Sequence, residues 1–148
     1  MIKSIYLDVC ALCRPFDDQS YMRIHLETAA VNLIISAVDK RIYQMVYSPV
    51  HLKEIEAITD IQEALELKAL LTSKGKQLKV DLDKARNFAE DLVERGYGVA
   101  DAAHVAFAEL SGVDFISVDD KLIKKCLKTD LRIWTGTPIS FCEKEDLQ

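Results

Sequence analysis

Glycine and proline are scarce in this chain, five of one and three of the other among 148 residues. Low-complexity and disordered segments are rich in both, so the scarcity argues against either. No apolar run approaches the ~20 residues that crossing a bilayer requires, and no membrane span is expected. Met1-Ile2-Lys3-Ser4 leads straight into an apolar run, without a charged n-region, an h-region or a cleavage site, so the expected location is the cytoplasm. Basic charge is not in excess either. The net charge of −5 argues against gripping nucleic acid by bulk charge alone. Cysteine is sparse as well. Cys10 and Cys13 form a lone C-x-x-C, and Cys126 and Cys142 supply no second pair at zinc spacing. Arg14-Pro15-Phe16 follows at once and reads as a loop, not the helix of a redox motif, so free thiols are expected.

What is present is a core and an alternation of elements. Hydrophobic residues make up 49% of the chain, enough for a single domain over 1–148. Residues 2–8 read as a buried strand. Asp17-Asp18-Gln19-Ser20 carries cap chemistry for a helix to about Asp39, and Ile42 to Tyr47 reads as a second strand. Ser48-Pro49 starts a helix to about Ala57, Thr59-Asp60 caps one ending before Gly75, and Asp81 opens one closing near Gly96. A helix from Val99-Ala100-Asp101 stops at Ser111-Gly112. Val113 to Val118 is then a strand, Lys121 to Lys128 a short helix, and Leu131 to Trp134 a last strand. Residues 139–148, polar from Glu143, are expected to form a flexible tail. The alternation predicts an α/β domain with a mostly parallel sheet.

In such sheets ligands bind beyond the carboxyl ends of the strands, where the strand order reverses. Asp8 and Asp119 each follow an apolar strand run and fall at that edge. Glu54 and Asp101 lie early in predicted helices that would have to pack beside it, where the helix dipole would also hold Asp101 ionised. Acids ~5 Å apart at an effective dielectric near 20 repel by about 3 kcal/mol per pair. A cation relieves that repulsion. All-oxygen ligation suits Mg²⁺ or Mn²⁺ rather than zinc or copper, and such a site activates water for displacement at phosphorus. Removing the candidate ligands from the charge count leaves about −1, so a nuclease is compatible with the acidic balance.

Four stretches carry a resemblance: L-D-V-C-A-L-C-R-P-F-D-D-Q at 7–19, S-P-V-H-L-K-E-I at 48–55, A-D-A-A-H-V-A-F-A at 100–108 and F-I-S-V-D-D at 115–120. In order and spacing they resemble the motifs of PIN-domain nucleases, a group that includes the VapC-type toxins of toxin–antitoxin pairs. The resemblance spans 2 to about 135. It implies a three-layer α/β/α sandwich and an acidic quartet of Asp8, Glu54, Asp101 and Asp119 binding Mg²⁺ or Mn²⁺. It also implies cleavage of single-stranded RNA, an antitoxin protein as partner, and a homodimer. Asp8-Val9-Cys10 departs from the Asp-Thr-Asn or Asp-Ser-Ser of many members, whereas Ser117 keeps a hydroxyl.

Other residues have competing roles. Asp120 is a cap or a neighbour orienting Asp119, and Glu56 lies ~200° around the helix from Glu54. His104, one turn on from Asp101, is expected to be a structural histidine, with phosphate contact or support of the acids as the alternative. Arg14 is expected to form a salt bridge, with phosphate contact as the alternative. Trp134 is expected in the core. The run Lys121, Lys124, Lys125 and Lys128 is a solvated face or a phosphate contact. The Ile and Leu stripe over 61–71 is core, and any exposed part would mark a dimer or antitoxin surface. The leading reading is an endoribonuclease. The alternative is a catalytically weak domain that binds RNA or a partner. A receiver-like or dehalogenase-like phosphoryl-transfer fold fits poorly, because residue 10 is not aspartate.

Overall fold

Alternation along the first strand, β1 (Lys3–Leu7), sets the layering. Ile5 and Leu7 face one way and Tyr6 the other, and all three are buried, so both faces of the sheet must be covered. A computed structural model describes residues 2–148. The other strands are β2 (Tyr43–Tyr47), β3 (Gly75–Gln77), β4 (Asp114–Ile116) and β5 (Thr135–Gly136). They pair in the order β3-β2-β1-β4-β5, and every pairing is parallel.

The helices are α1 (Val9–Leu12), α2 (Met22–Asp39), α3 (Pro49–Glu56), α4 (Ile61–Lys74), α5 (Leu82–Glu94), α6 (Val99–Ser111), α7 (Asp120–Lys128) and α8 (Pro138–Glu145). Ile5, Leu7, Met45 and Ile116 pack with Ile34 of α2, Leu67 and Leu71 of α4 and Phe141 of α8. Tyr6, Val46 and Phe115 pack on the opposite face with Leu92 of α5, Ala102 and Val105 of α6 and Leu122 of α7. The result is the expected three-layer α/β/α sandwich.

Local chemistry ends the helices where cap residues stand. Ser48 and His51 form a capping box that spans Pro49, the first residue of α3, and Gly112 closes α6 with a φ of 65°. Gly75 is the C-cap of α4, where a side chain would not fit because a Cβ would lie 2.6 Å from the Leu71 carbonyl oxygen.

Several expectations are corrected. Residues 139–148 are not a flexible tail: Pro138–Glu145 is helix α8, capped by Thr137, and it buries Phe141 and Cys142 against α2. The final strand is Thr135–Gly136 rather than Leu131–Trp134, since Thr135 and Gly136 hold the register with Phe115 and Ile116. Helix α2 begins at Met22, because Asp18 uses its carboxylate in a turn with Ser20 instead of capping. The loop expected after β1 contains α1 and then a 3-10 turn over Arg14–Phe16.

The chain leaves β1 towards β2 and β3, then crosses back to place β4 on β1's other flank. The strand order therefore reverses between β1 and β4. Leu7 is in register with Ile116, so Asp8 and Ser117 emerge together at this switch point.

Candidate active site

Asp8 is the buried centre of the site, at 4% exposure. Its N–H donates to the Ile116 carbonyl at 3.1 Å. Its Oδ1 accepts from the Ala11 N–H at 3.1 Å and the Cys10 thiol at 3.0 Å. Desolvation pushes the Asp8 pKa up, and hydrogen bonds from Cys10, Ser117 and Ala11, with the nearby His104, partly offset this. Cys10, expected only as a free thiol, thus supplies a hydrogen-bond donor to Asp8.

Ser117, fully buried, joins two of the acids. Its Oγ accepts from the Asp119 N–H at 3.1 Å and stands 3.6 Å from the Cys10 Sγ. Asp119 is the N-cap of α7, its Oδ1 accepting from the Lys121 and Leu122 N–H groups at 3.0 and 3.1 Å.

Asp101 lies in the first turn of α6. Burial raises its pKa, and the charges of Asp119, Asp8 and Glu54 push the same way, with His104 opposing. The dipole was expected to keep this carboxylate ionised, but crowding by acids and half-burial outweigh it. The four sequence-derived acids therefore share one electrostatic neighbourhood. Among the described residues, however, no three acidic, histidine or cysteine side chains stand at spacings that would hold an ion without moving.

Glu54, on α3, is bonded through Oε1 to the Nε2 of His104. His104 is a buried structural histidine, as expected, yet it also touches one of the acids. Two other candidates are committed elsewhere. Asp120 takes a two-pronged bond from Arg23 at 2.7 and 2.8 Å, which lowers its pKa. Arg14 bonds Glu27 at 3.0 Å and Asp17 at 2.9 Å, the salt-bridging role expected of it. Of the lysine run, Lys125 bonds the Gly96 carbonyl at 2.9 Å. Cys10 and Cys13 are free thiols; desolvation and nearby acids raise both, Cys13 to about 12.

Tyr6, Ser48 and His51 surround the site without having been singled out from the sequence. Tyr6 lies in an apolar strand and Ser48 in a cap, so each had a sufficient ordinary explanation. His51 had a signal, its place as third residue after the Ser48 cap. Its Nδ1 accepts from the Ser48 N–H at 3.1 Å and its Nε2 donates to the Leu7 carbonyl at 2.6 Å.

No protein-family model and no curated protein matches the chain. Solved structures do. PAE2754 from Pyrobaculum aerophilum superposes with a TM-score of 0.57 at 20% identity, over 100% of both chains. FitAcB from Neisseria gonorrhoeae gives 0.56 at 11% identity, covering 91% of this chain and 98% of its own. VapBC2 from Rickettsia felis, solved with a DNA fragment from the promoter, gives 0.55 at 13% identity, covering 90% and 98%. The chain has a VapC-like PIN-domain fold. In this PIN-like fold the reversal between β1 and β4 gathers Asp8, Ser117 and Asp119, while α3 and α6 bring Glu54 and Asp101 alongside.

Proposed function

We propose that the chain is a metal-dependent endoribonuclease that hydrolyses single-stranded RNA, with Mg²⁺ or Mn²⁺ as its cation. One observation carries this reading: Asp101 feels the charges of Asp119, Asp8 and Glu54 together, at the sheet's switch point. Carboxylate oxygens alone make a hard donor set that fits such a cation. Asp8, Glu54, Asp101 and Asp119 would hold it. When bound, a cation of this kind activates water and stabilises displacement at phosphorus. Ser117 keeps Asp119 beside Asp8, and α1's backbone keeps Asp8 aimed at the edge. Exposed Lys121 and Lys124 are suited to meeting the RNA backbone.

By its fold the protein would serve as a toxin held by an antitoxin protein, in the cytoplasm and as a homodimer. Part of the 61–71 stripe supports a partner surface, because Ile61 and Leu65 are exposed while Leu67 and Leu71 are buried. No helix among the described residues is long and apolar enough to cross a membrane.

The test is cleavage of an unstructured RNA with Mn²⁺. Asp8→Asn and Asp101→Asn should each reduce cleavage to the level seen in EDTA while the chain stays folded. Activity that survives both substitutions would overturn the assignment. A second reading, a weakly catalytic domain that binds RNA or a partner, is favoured by the spacing of the acids. It requires RNA binding by the unsubstituted protein with no Mn²⁺-dependent turnover.

A further inference from the structure

The buried polar groups behind Glu54 form a single hydrogen-bonded line. The Val50 N–H donates to the Ser48 Oγ at 3.3 Å. Ser48 Oγ lies 2.7 Å from the Tyr6 hydroxyl, which lies 2.5 Å from His104 Nδ1. His104 Nε2 then meets Glu54 Oε1. Tyr6, Ser48 and His104 are all almost wholly buried, so each polar atom needs its partner.

Donor accounting fixes the direction of the line for a neutral imidazole. Glu54 is an acceptor when ionised, so the proton on the imidazole belongs on Nε2. Bare Nδ1 then accepts from the Tyr6 hydroxyl, which accepts the Ser48 proton in turn. The opposite sense would leave the Ser48 proton without an acceptor and turn an Nε2 lone pair towards a carboxylate. His51 adds a second tie, from the first turn of α3 to the Leu7 carbonyl, one residue before Asp8.

We propose that Tyr6, Ser48 and His104 are positioning residues that fix the Glu54 side chain relative to β1, whose end carries Asp8, so that both carboxylates can take part in one cation site. The proposal rests on the nuclease reading. Its physical content is that β1 gauges the site twice: Tyr6 through His104 to Glu54, and Leu7 through His51 to α3. A glutamate on a surface helix would otherwise sample several rotamers. Groups that orient metal ligands this way typically change metal affinity or activity by about 10–100-fold when removed.

The test uses the full chain and Mn²⁺, with Tyr6→Phe, His104→Gln and His104→Ala. Nitrogen-15 spectra of the His104 ring should show a proton on Nε2, facing Glu54, before any metal is added. Tyr6→Phe should keep the proton on Nε2 but leave Nδ1 without its hydroxyl partner, and should weaken Mn²⁺ binding, read by electron paramagnetic resonance, by about 10-fold or more. On RNA the loss should fall on kcat, with KM little changed. His104→Gln can still present an amide donor to Glu54 and should recover much of what His104→Ala loses. A neutral His104 ring protonated at Nδ1 alone, with a bare Nε2 facing Glu54, would overturn the proposal whatever the activity. So would Mn²⁺ affinity and kcat in Tyr6→Phe equal to those of the unsubstituted chain, and that result would leave the nuclease reading standing. An unsubstituted chain that binds no Mn²⁺ would overturn both.

Discussion

Cys10 shows how one residue's chemistry can be misjudged from its neighbours in sequence. Beside Cys13 it looks like half of a redox or zinc motif, yet its thiol points to Asp8 and donates to the carboxylate. Desolvation, and after it the same acid, raises the thiol's pKa, opposite to what a reactive cysteine needs. Cys10→Ala should therefore lower stability by roughly 1 kcal/mol, the value of a modest hydrogen bond, seen as a lower urea midpoint with an unchanged slope. His51 makes a pH prediction. Burial, with the His104 ring beside it, holds its pKa down to about 3 from 6.5. The unfolded chain takes up that proton below pH 6.5, so this contribution is complete above 6.5 and is lost as pH falls towards 3. The loss approaches about 1.4 kcal/mol per pH unit. Urea titrations across that window should show a shallower decline for His51→Asn, which keeps an acceptor near the Ser48 N–H but cannot titrate there.

Helix α8 carries the clearest test at the level of elements. Phe141 has no exposed surface, packs edge-on with Tyr43 and Trp134, and holds α8 on the sheet. Phe141→Ala should cost about 3–5 kcal/mol in denaturant unfolding, the usual penalty for emptying a buried aromatic site. A change within experimental error would mean that α8 is not docked. The helix escaped the sequence reading because its apolar residues, Ile139, Phe141 and Cys142, run at once into Glu143-Lys144-Glu145, a charged stretch that also suits a solvated end. Strand β3 escaped for a related reason: Gly75-Lys76-Gln77 has no apolar residue and is defined only by pairing with β2. Elements with strong local chemistry were legible. Ser48-Pro49, Asp60, Asp81 and Gly112 each cap or end the helix that their type implies. Within the site, Asp8 and Asp119 were readable because each ends an apolar run at a strand's carboxyl edge. The line from Ser48 through Tyr6 to His104 was not, since its members lie 42 and 98 residues apart and meet only when α3 and α6 pack over β1.

At the scale of the molecule, the fold spends stability to gather negative charge. Helices α3, α6 and α7 and strand β1 deliver carboxylates to one edge, and two of these, Asp8 and Asp101, are pushed towards protonation. A cation should return that stability. Binding at 100 times Kd adds about 2.7 kcal/mol, roughly 5–10 °C in Tm for a domain of this size. Calorimetric melting of the unsubstituted chain and of Asp101→Asn, each with and without Mn²⁺, measures this directly. The account predicts that Mn²⁺ raises the Tm of the unsubstituted chain by several degrees and leaves Asp101→Asn almost unmoved. It also predicts that the metal-free variant melts no lower than its parent, because one like charge has gone. An unsubstituted chain whose Tm ignores Mn²⁺, or a variant that responds equally, would contradict it.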